Sequence, residues 1–343
     1  MLFSSITFLI GFLPIVLFIY YYCPTLKARN NLLLLSSLVF YAWGEPRHIL
    51  VMLFSIAINY RIGILLGDVK INRRGVLAVG ILINISLLFY FKYFIFFERV
   101  INKIFRVIDY PQFQLPLLNI ALPIGISFYT FQSISYLVDV YKNPVLIQKN
   151  ILDLGLYISF FPQLIAGPIV RYHDINEQIK ERSHSINLFV SGIERFIIGL
   201  SKKVLIANTM AMTADRIFVL PSNSVPYYYL FLGIICYTFH IYYDFSGYSD
   251  MAIGLGRMFG FNILENFNYP YISKTITEFW RRWHISLSSW FKDYLYIPLG
   301  GNRKGRKRTT INLFIVFFTT GLWHGAEINF VLWGLGHGLL LFF

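Results

Sequence analysis

Arg303-Lys-Gly-Arg-Lys-Arg308 runs directly into Thr309-Thr-Ile-Asn-Leu-Phe-Ile-Val-Phe-Phe-Thr-Thr-Gly-Leu-Trp-His324, a basic cluster followed at once by an apolar run. Five of the first six side chains are basic, the mark of a cytoplasmic loop beside a membrane-crossing helix. His324 follows Arg308 by 16 residues, roughly 24 Å along a helix. An imidazole is therefore expected deep in the membrane or toward its far face. The pattern recurs along the chain, with candidate spans at 2–22, 31–43, 48–66, 76–97, 117–138, 151–170, 187–206, 226–243, 280–299, 310–323 and 328–343. Arg73-Arg74 with Lys70 forms a second basic cluster for the same side. Several spans are shorter than a full crossing, which predicts re-entrant or broken helices packed within protein. Pro14 and Pro123 fall inside apolar runs, where kinks are expected.

Composition agrees with this reading. The 343 residues are 56% hydrophobic and 14% charged, against about 25% charged in a soluble domain. The expected fold is an all-α polytopic transmembrane helical protein of about 10–11 membrane segments, one domain over residues 1–343. Neither linker nor repeat divides it. The final run, Leu339 to Phe343, has no interfacial anchors, and a missing C-terminal portion is expected. The net charge of +13 belongs to topology-setting loops that meet anionic head groups, and no nucleic-acid module contains it. Cys23 and Cys236 make no disulfide framework and no CxxC pair. Cys23 follows an apolar segment as a lipoprotein cysteine would. Tyr20-Tyr-Tyr22 is too bulky for that cleavage and no basic segment leads in, so a retained first span is expected.

Ionisable groups in such a setting are functional candidates by default. His324 has Thr319, Thr320, Gly321 and Gly325 around it, small residues that let a substrate come close. A neutral imidazole there is either a general base for a hydroxyl or a core histidine satisfied by a neighbouring carbonyl. His284, in Glu278-Phe-Trp-Arg-Arg-Trp-His284, lies 19 residues before Arg303. It either orients substrate or belongs to an amphipathic interfacial segment with Arg281, Arg282, Lys292 and Asp293. His337 is a third imidazole in the same block. His240 and Asp244, four apart, are expected to pair on one helix face and to order the polar run 244–250. No HxxH or HExxH spacing supports zinc. Gly254, Gly256 and Gly260 are read as helix-packing glycines and not as a phosphate loop. Gln132 is read as an interhelical hydrogen-bonding residue, and Asn266 to Tyr271 as a polar island in an apolar setting. Gln163, between Pro162 and Pro168, is expected in a broken helix lining a substrate path.

Three stretches resemble one family. They are Pro123-Ile-Gly-Ile-Ser-Phe-Tyr-Thr-Phe-Gln132 with Phe161-Pro-Gln-Leu-Ile-Ala-Gly-Pro168, then Glu278 to Trp290 continuing to Tyr296-Ile-Pro-Leu-Gly-Gly301, and Gly321-Leu-Trp-His324-Gly-Ala326. Together the chain resembles a membrane-bound O-acyltransferase (MBOAT), in the branch of the alginate O-acetyltransferase membrane subunit. The resemblance implies transfer of an acyl group, acetyl by expectation, from a cytoplasmic thioester to an extracytoplasmic polysaccharide hydroxyl. It implies acetyl-CoA as donor substrate and no tightly bound cofactor, a periplasmic acetyltransferase as partner, and residence in a bacterial inner membrane. His324 matches the family histidine and His284 the position of asparagine or histidine. Trp283, Arg281 and Asp293 belong to the same signature and are expected to bind substrate, with Gln163. Three other readings stand beside it: D-alanyl transfer to teichoic acid within the same family, a transporter or flippase, and a structural membrane scaffold.

Overall fold

A computed structural model of the chain describes residues 1–68, 70–116, 120–221 and 225–341, and no strand occurs among them. In chain order the helices are α1 (Leu13–Tyr22), α2 (Leu26–Gly44), α3 (Ile49–Leu66), α4 (Arg73–Val107), α5 (Ile126–Lys142), α6 (Ile151–Ser159), α7 (Phe161–Leu164) and α8 (Tyr172–Lys180). Then come α9 (Ile186–Ser201), α10 (Asn208–Phe218), α11 (Tyr227–Met258), α12 (Ile276–Arg282), α13 (Ile285–Phe291), α14 (Gly305–His324) and α15 (Ile328–Leu340). Side-chain oxygens mark several starts. Thr25, Asn72, Ser185 and Thr275 each accept from a backbone N–H three residues on, at 3.1–3.2 Å, filling donors that a helix cannot satisfy itself.

Three helical stretches among the described residues are long and apolar enough to cross a membrane: Ile49–Leu66, Arg73–Val107 and Ile186–Phe218. The last is one rod, in which a π-helical turn at Lys202–Ala207 joins α9 to α10. Other expected spans divide. The run 280–299 is α12, α13 and a π-helical turn at Lys292–Tyr296, broken where Trp283 is extended and His284 turns left-handed. The run 151–170 breaks at Phe160, and Pro162 opens α7, where its missing N–H costs nothing. Pro14 lies within the continuous helical stretch Thr7–Tyr22, where a π-helical turn at Thr7–Phe12 runs straight into α1, whereas Pro123 lies ahead of α5 and enters no helix. Residues 117–119 and 342–343 of the expected spans lie outside the described residues.

Close packing relies on small and amide side chains. A Cβ at Gly254 would stand 2.6 Å from the Gly192 carbonyl, so α9 and α11 touch backbone to backbone there. This is the packing role read for Gly254. Asn59 of α3 and Asn84 of α4, both buried, exchange amide hydrogen bonds of 3.1 and 2.8 Å. Between water-free helices such pairs act as glue. Asp250, buried on α11, takes Arg195 and Lys202, each at 2.6 Å. The expected pairing of His240 with Asp244 does not occur. His240 Nδ1 meets the Ala207 carbonyl at 3.1 Å and Asp244 takes Lys203, because the π-helical turn brings its own groups against both.

Candidate active site

The turn between α12 and α13 sets the first histidine. His284 is 2% exposed and holds φ +44°, a strained conformation for a residue with a Cβ. Asn266 fixes it. The Asn266 backbone carbonyl accepts from Ile285 N–H at 2.9 Å, and its Oδ1 accepts from Ser286 N–H at 3.2 Å and Ser286 Oγ at 2.8 Å. A backbone N–H can only donate, so the amide atom facing it is the oxygen, and Asn266 Nδ2 points to Ser249 Oγ at 2.9 Å. His284 Nδ1 stands 3.0 Å from that same Oδ1 and must therefore carry its proton. The neutral ring then has a bare lone pair on Nε2, which is buried and has no partner among the described residues. The second histidine, His324, ends α14. A helix leaves its last carbonyls unsatisfied, and α4 supplies them: Lys92 Nζ donates to the Trp323 carbonyl and Tyr93 Oη to the Leu322 carbonyl. The other side of this helix end is set by α15. A Cβ at Gly321 would lie 2.4 Å from the Phe330 carbonyl, so no larger residue fits between the helices there.

These constraints place both imidazoles on one cavity. It holds about 280 Å³ and is lined by His284, His324, Trp280, Arg281 and Trp283 among others. The Trp323 ring lies between the histidines, 5.9 Å from His284 and 4.8 Å from His324. A neighbouring cavity of about 330 Å³, lined by Asn302, Arg306 and Thr309, shares Leu313 and Leu341 with it. His324 also lines a groove of about 1100 Å³, whose wall includes Lys92, Arg99 and Lys103 of α4. His324 thus stands where two spaces meet.

Of the six residues singled out by sequence, four meet here: His284, His324, Trp283 and Arg281. Asp293 does not line this cavity and instead pairs with Arg171, which also grips Asp174 at 2.7 Å. Next to that cluster, His173 Nδ1 lies 2.9 Å from Asp139, whose carboxylate raises the pKa of the imidazole above the usual value. Gln163 is buried away from the cavity and donates to the Tyr157 carbonyl at 3.0 Å. His337 packs on the site's back wall, its ring centroid 4.7 Å from Trp333 and 5.1 Å from Trp280. Sequence reasoning missed Lys92 and Tyr93 and gave Asn266 no role. Lys92 could have been found as the one cation in Leu87-Leu-Phe-Tyr-Phe-Lys-Tyr-Phe-Ile-Phe-Phe97.

Comparison with known proteins adds the family. Residues 148–343 match the model of the membrane-bound O-acyltransferase family, MBOAT. The chain is 46% identical to the "Probable alginate O-acetylase AlgI" of Pseudomonas aeruginosa, over 99% of this chain and 65% of that protein. It is 45% identical to the protein of the same name from Azotobacter vinelandii, covering 99% of this chain and 68% of the relative. A "Peptidoglycan O-acetyltransferase" of Helicobacter pylori is 38% identical over 99% of this chain and 70% of its own length. The chain spans about 65% of the length of the P. aeruginosa relative.

Proposed function

This chain belongs to the membrane-bound O-acyltransferase family, and from that premise we propose that it serves the transfer of an acyl group, acetyl in the first instance, to an extracytoplasmic polysaccharide. The donor is a cytoplasmic thioester such as acetyl-CoA. Its point of entry is the basic loop 303–308, from which the cavity at Arg306 leads toward the two histidines. The acceptor comes through the groove that His324 also lines. The observation that carries this reading is His324 itself, shared by the cavity of His284 and that groove.

Helix directions support the two-sided scheme. Both α4 and α14 begin at basic clusters, and Lys92 and Tyr93, 19 and 20 residues along α4, meet carbonyls 17 and 18 residues along α14. Two helices leaving one membrane face would meet at such heights. The 20 residues of α14 rise about 30 Å, the thickness of the hydrocarbon layer. We place the chain, on this basis, as a multi-pass protein of a bacterial inner membrane with basic loops in the cytoplasm.

In the proposed step, a hydroxyl oxygen attacks the thioester carbon while its proton passes to a neutral His324 nitrogen. The new C–O bond forms, the C–S bond breaks, and the departing thiolate takes the proton back from the imidazolium. His284, with Nε2 as an acceptor, orients the incoming hydroxyl. The relatives' names refer to alginate and peptidoglycan, which supports a polysaccharide acceptor; it is reached directly or through a periplasmic acetyltransferase partner. The test is His324→Ala in the full-length protein in membranes, with O-acetylation of extracellular polysaccharide as readout and detergent gel filtration as the folding control. Loss of acetylation in folded protein is the expected result. Normal acetylation would overturn the assignment.

A further inference from the structure

Acyl transfer needs more than a base. As the acceptor oxygen adds to the thioester carbon, negative charge gathers on the carbonyl oxygen, and a fixed hydrogen-bond donor there lowers the barrier. Neither histidine fills this part. His284 has committed its proton to Asn266 and presents only a lone pair, while His324 as base receives a proton. Two wall hydroxyls are engaged already: Thr320 Oγ donates to the Val316 carbonyl at 2.8 Å, and Ser288 Oγ to the Trp280 carbonyl at 3.2 Å.

Trp280 is different. It lines the cavity with both histidines, and its Nε1–H is buried without a partner among the described residues. An indole nitrogen donates and never accepts, and a buried donor left empty is a cost that a fold rarely keeps without use. The ring is held in place on three sides, against Phe317 at 5.5 Å, Trp333 at 5.7 Å and His337 at 5.1 Å. Trp333 in turn packs against His324 at 4.8 Å, which ties the donor to the base.

We infer that the Trp280 indole N–H receives the thioester carbonyl oxygen and stabilises its developing charge. This rests on the acyl-transfer reading above. The indole keeps its proton throughout: the hydroxyl proton goes to His324, the C–O bond forms, the C–S bond breaks, and the thiolate leaves with the proton from His324. Arg281 and Thr277, both exposed on the same cavity, and the Trp323 indole N–H, buried without a partner among the described residues, are the competing donors.

The experiment compares Trp280→Phe, Trp280→His, Arg281→Gln and His324→Ala in full-length protein in membrane vesicles. Acetyl-CoA is the probe, kcat and donor KM are read separately, and gel filtration reports folding. Trp280→Phe should lower kcat by about 10²–10³-fold and leave KM within about two-fold, the pattern of an interaction made only in the transition state. Trp280→His, which restores an N–H, should recover part of the rate. Unchanged kcat in Trp280→Phe, or a kcat loss that falls on Arg281→Gln instead, overturns the assignment. So does loss of folded protein in both Trp280 variants, which would leave the ring a packing role. Transfer that persists in Trp280→Phe but dies in His324→Ala removes Trp280 alone. Absence of transfer in the wild type removes the parent reading and this one with it.

Discussion

Replacing Asn266 by leucine should damage this protein more than replacing it by alanine, although the surroundings are largely apolar. Asn266 is fully buried, and its Oδ1 accepts from His284 Nδ1, Ser286 N and Ser286 Oγ. The Ser286 hydroxyl can turn elsewhere, but the other two donors are fixed. Leucine keeps the branched shape of asparagine, is bulkier and carries no acceptor, so it excludes water and leaves the Ser286 N–H empty and His284 Nδ1 with only Ser286 Oγ, at 3.4 Å, in reach. At about 1–3 kcal/mol for each buried unsatisfied group, the loss comes to about 2–6 kcal/mol. Alanine instead leaves a small polar hole. A water can enter it and bind the same donors, for about 0–2 kcal/mol of immobilisation. Thermal unfolding of the detergent-purified variants beside the wild type measures the order directly. An Asn266→Leu protein as stable as Asn266→Ala, or more so, would refute the hydrogen-bond assignment and with it the fixed tautomer of His284.

Two further outcomes follow from the packing and charge around the site. Gly321→Ala puts a Cβ 2.4 Å from the Phe330 carbonyl, so α15 must retreat at a cost of about 1–3 kcal/mol. His324, three residues on, moves with the helix end, and transfer should fall on the order of 10²-fold. Gly336→Ala, where the new carbon meets nothing within 4 Å, is the matched control and should change neither melting nor rate. Near Asp293, Asp139 raises the pKa of His173. The protonated pair therefore stabilises the fold fully below the ordinary histidine value of about 6.5, and its contribution disappears as pH rises through the raised folded value. Half-exposed and screened by salt, it contributes modestly. The wild-type melting midpoint should decline across that window relative to His173→Gln, and parallel pH profiles for the two would contradict the pairing.

The helical membrane architecture was legible because apolar blocks and basic loops report the solvent a segment will meet, and that solvent is local information. The breaks were less legible. His284 turns left-handed because Asn266 and Ser286 hold it, and Asn266 lies 18 residues away in an irregular segment. No periodicity carries that. The His240–Asp244 spacing was sound helical geometry, yet the π-helical turn at 202–207 offered both residues other partners. His284 and His324, which line one cavity, drew attention because rare ionisable groups stand out in apolar sequence. Lys92 stands out in the same way, and it escaped notice only because its role is to hold a helix end built from a distant segment. Trp280 had no such mark: an indole in an aromatic-rich signature becomes a candidate donor only when its N–H is seen to lack an acceptor.

The cap on α14 has a consequence for modularity. Residues 148–343 are the part that matches the family model, and they contain both histidines. Yet the carbonyls at the end of the His324 helix are satisfied by Lys92 and Tyr93, which precede that region. At its other end α4 is moored as well, Arg73 gripping the carbonyls of Leu66 and Tyr141, each at 2.7 Å. The position of His324 is thus inherited from the N-terminal third of the chain through one continuous rod. A chimera that exchanged the residues before 148 would keep both histidines and still lose the placement of His324, unless the donor sequence returned a lysine and a tyrosine at the same height.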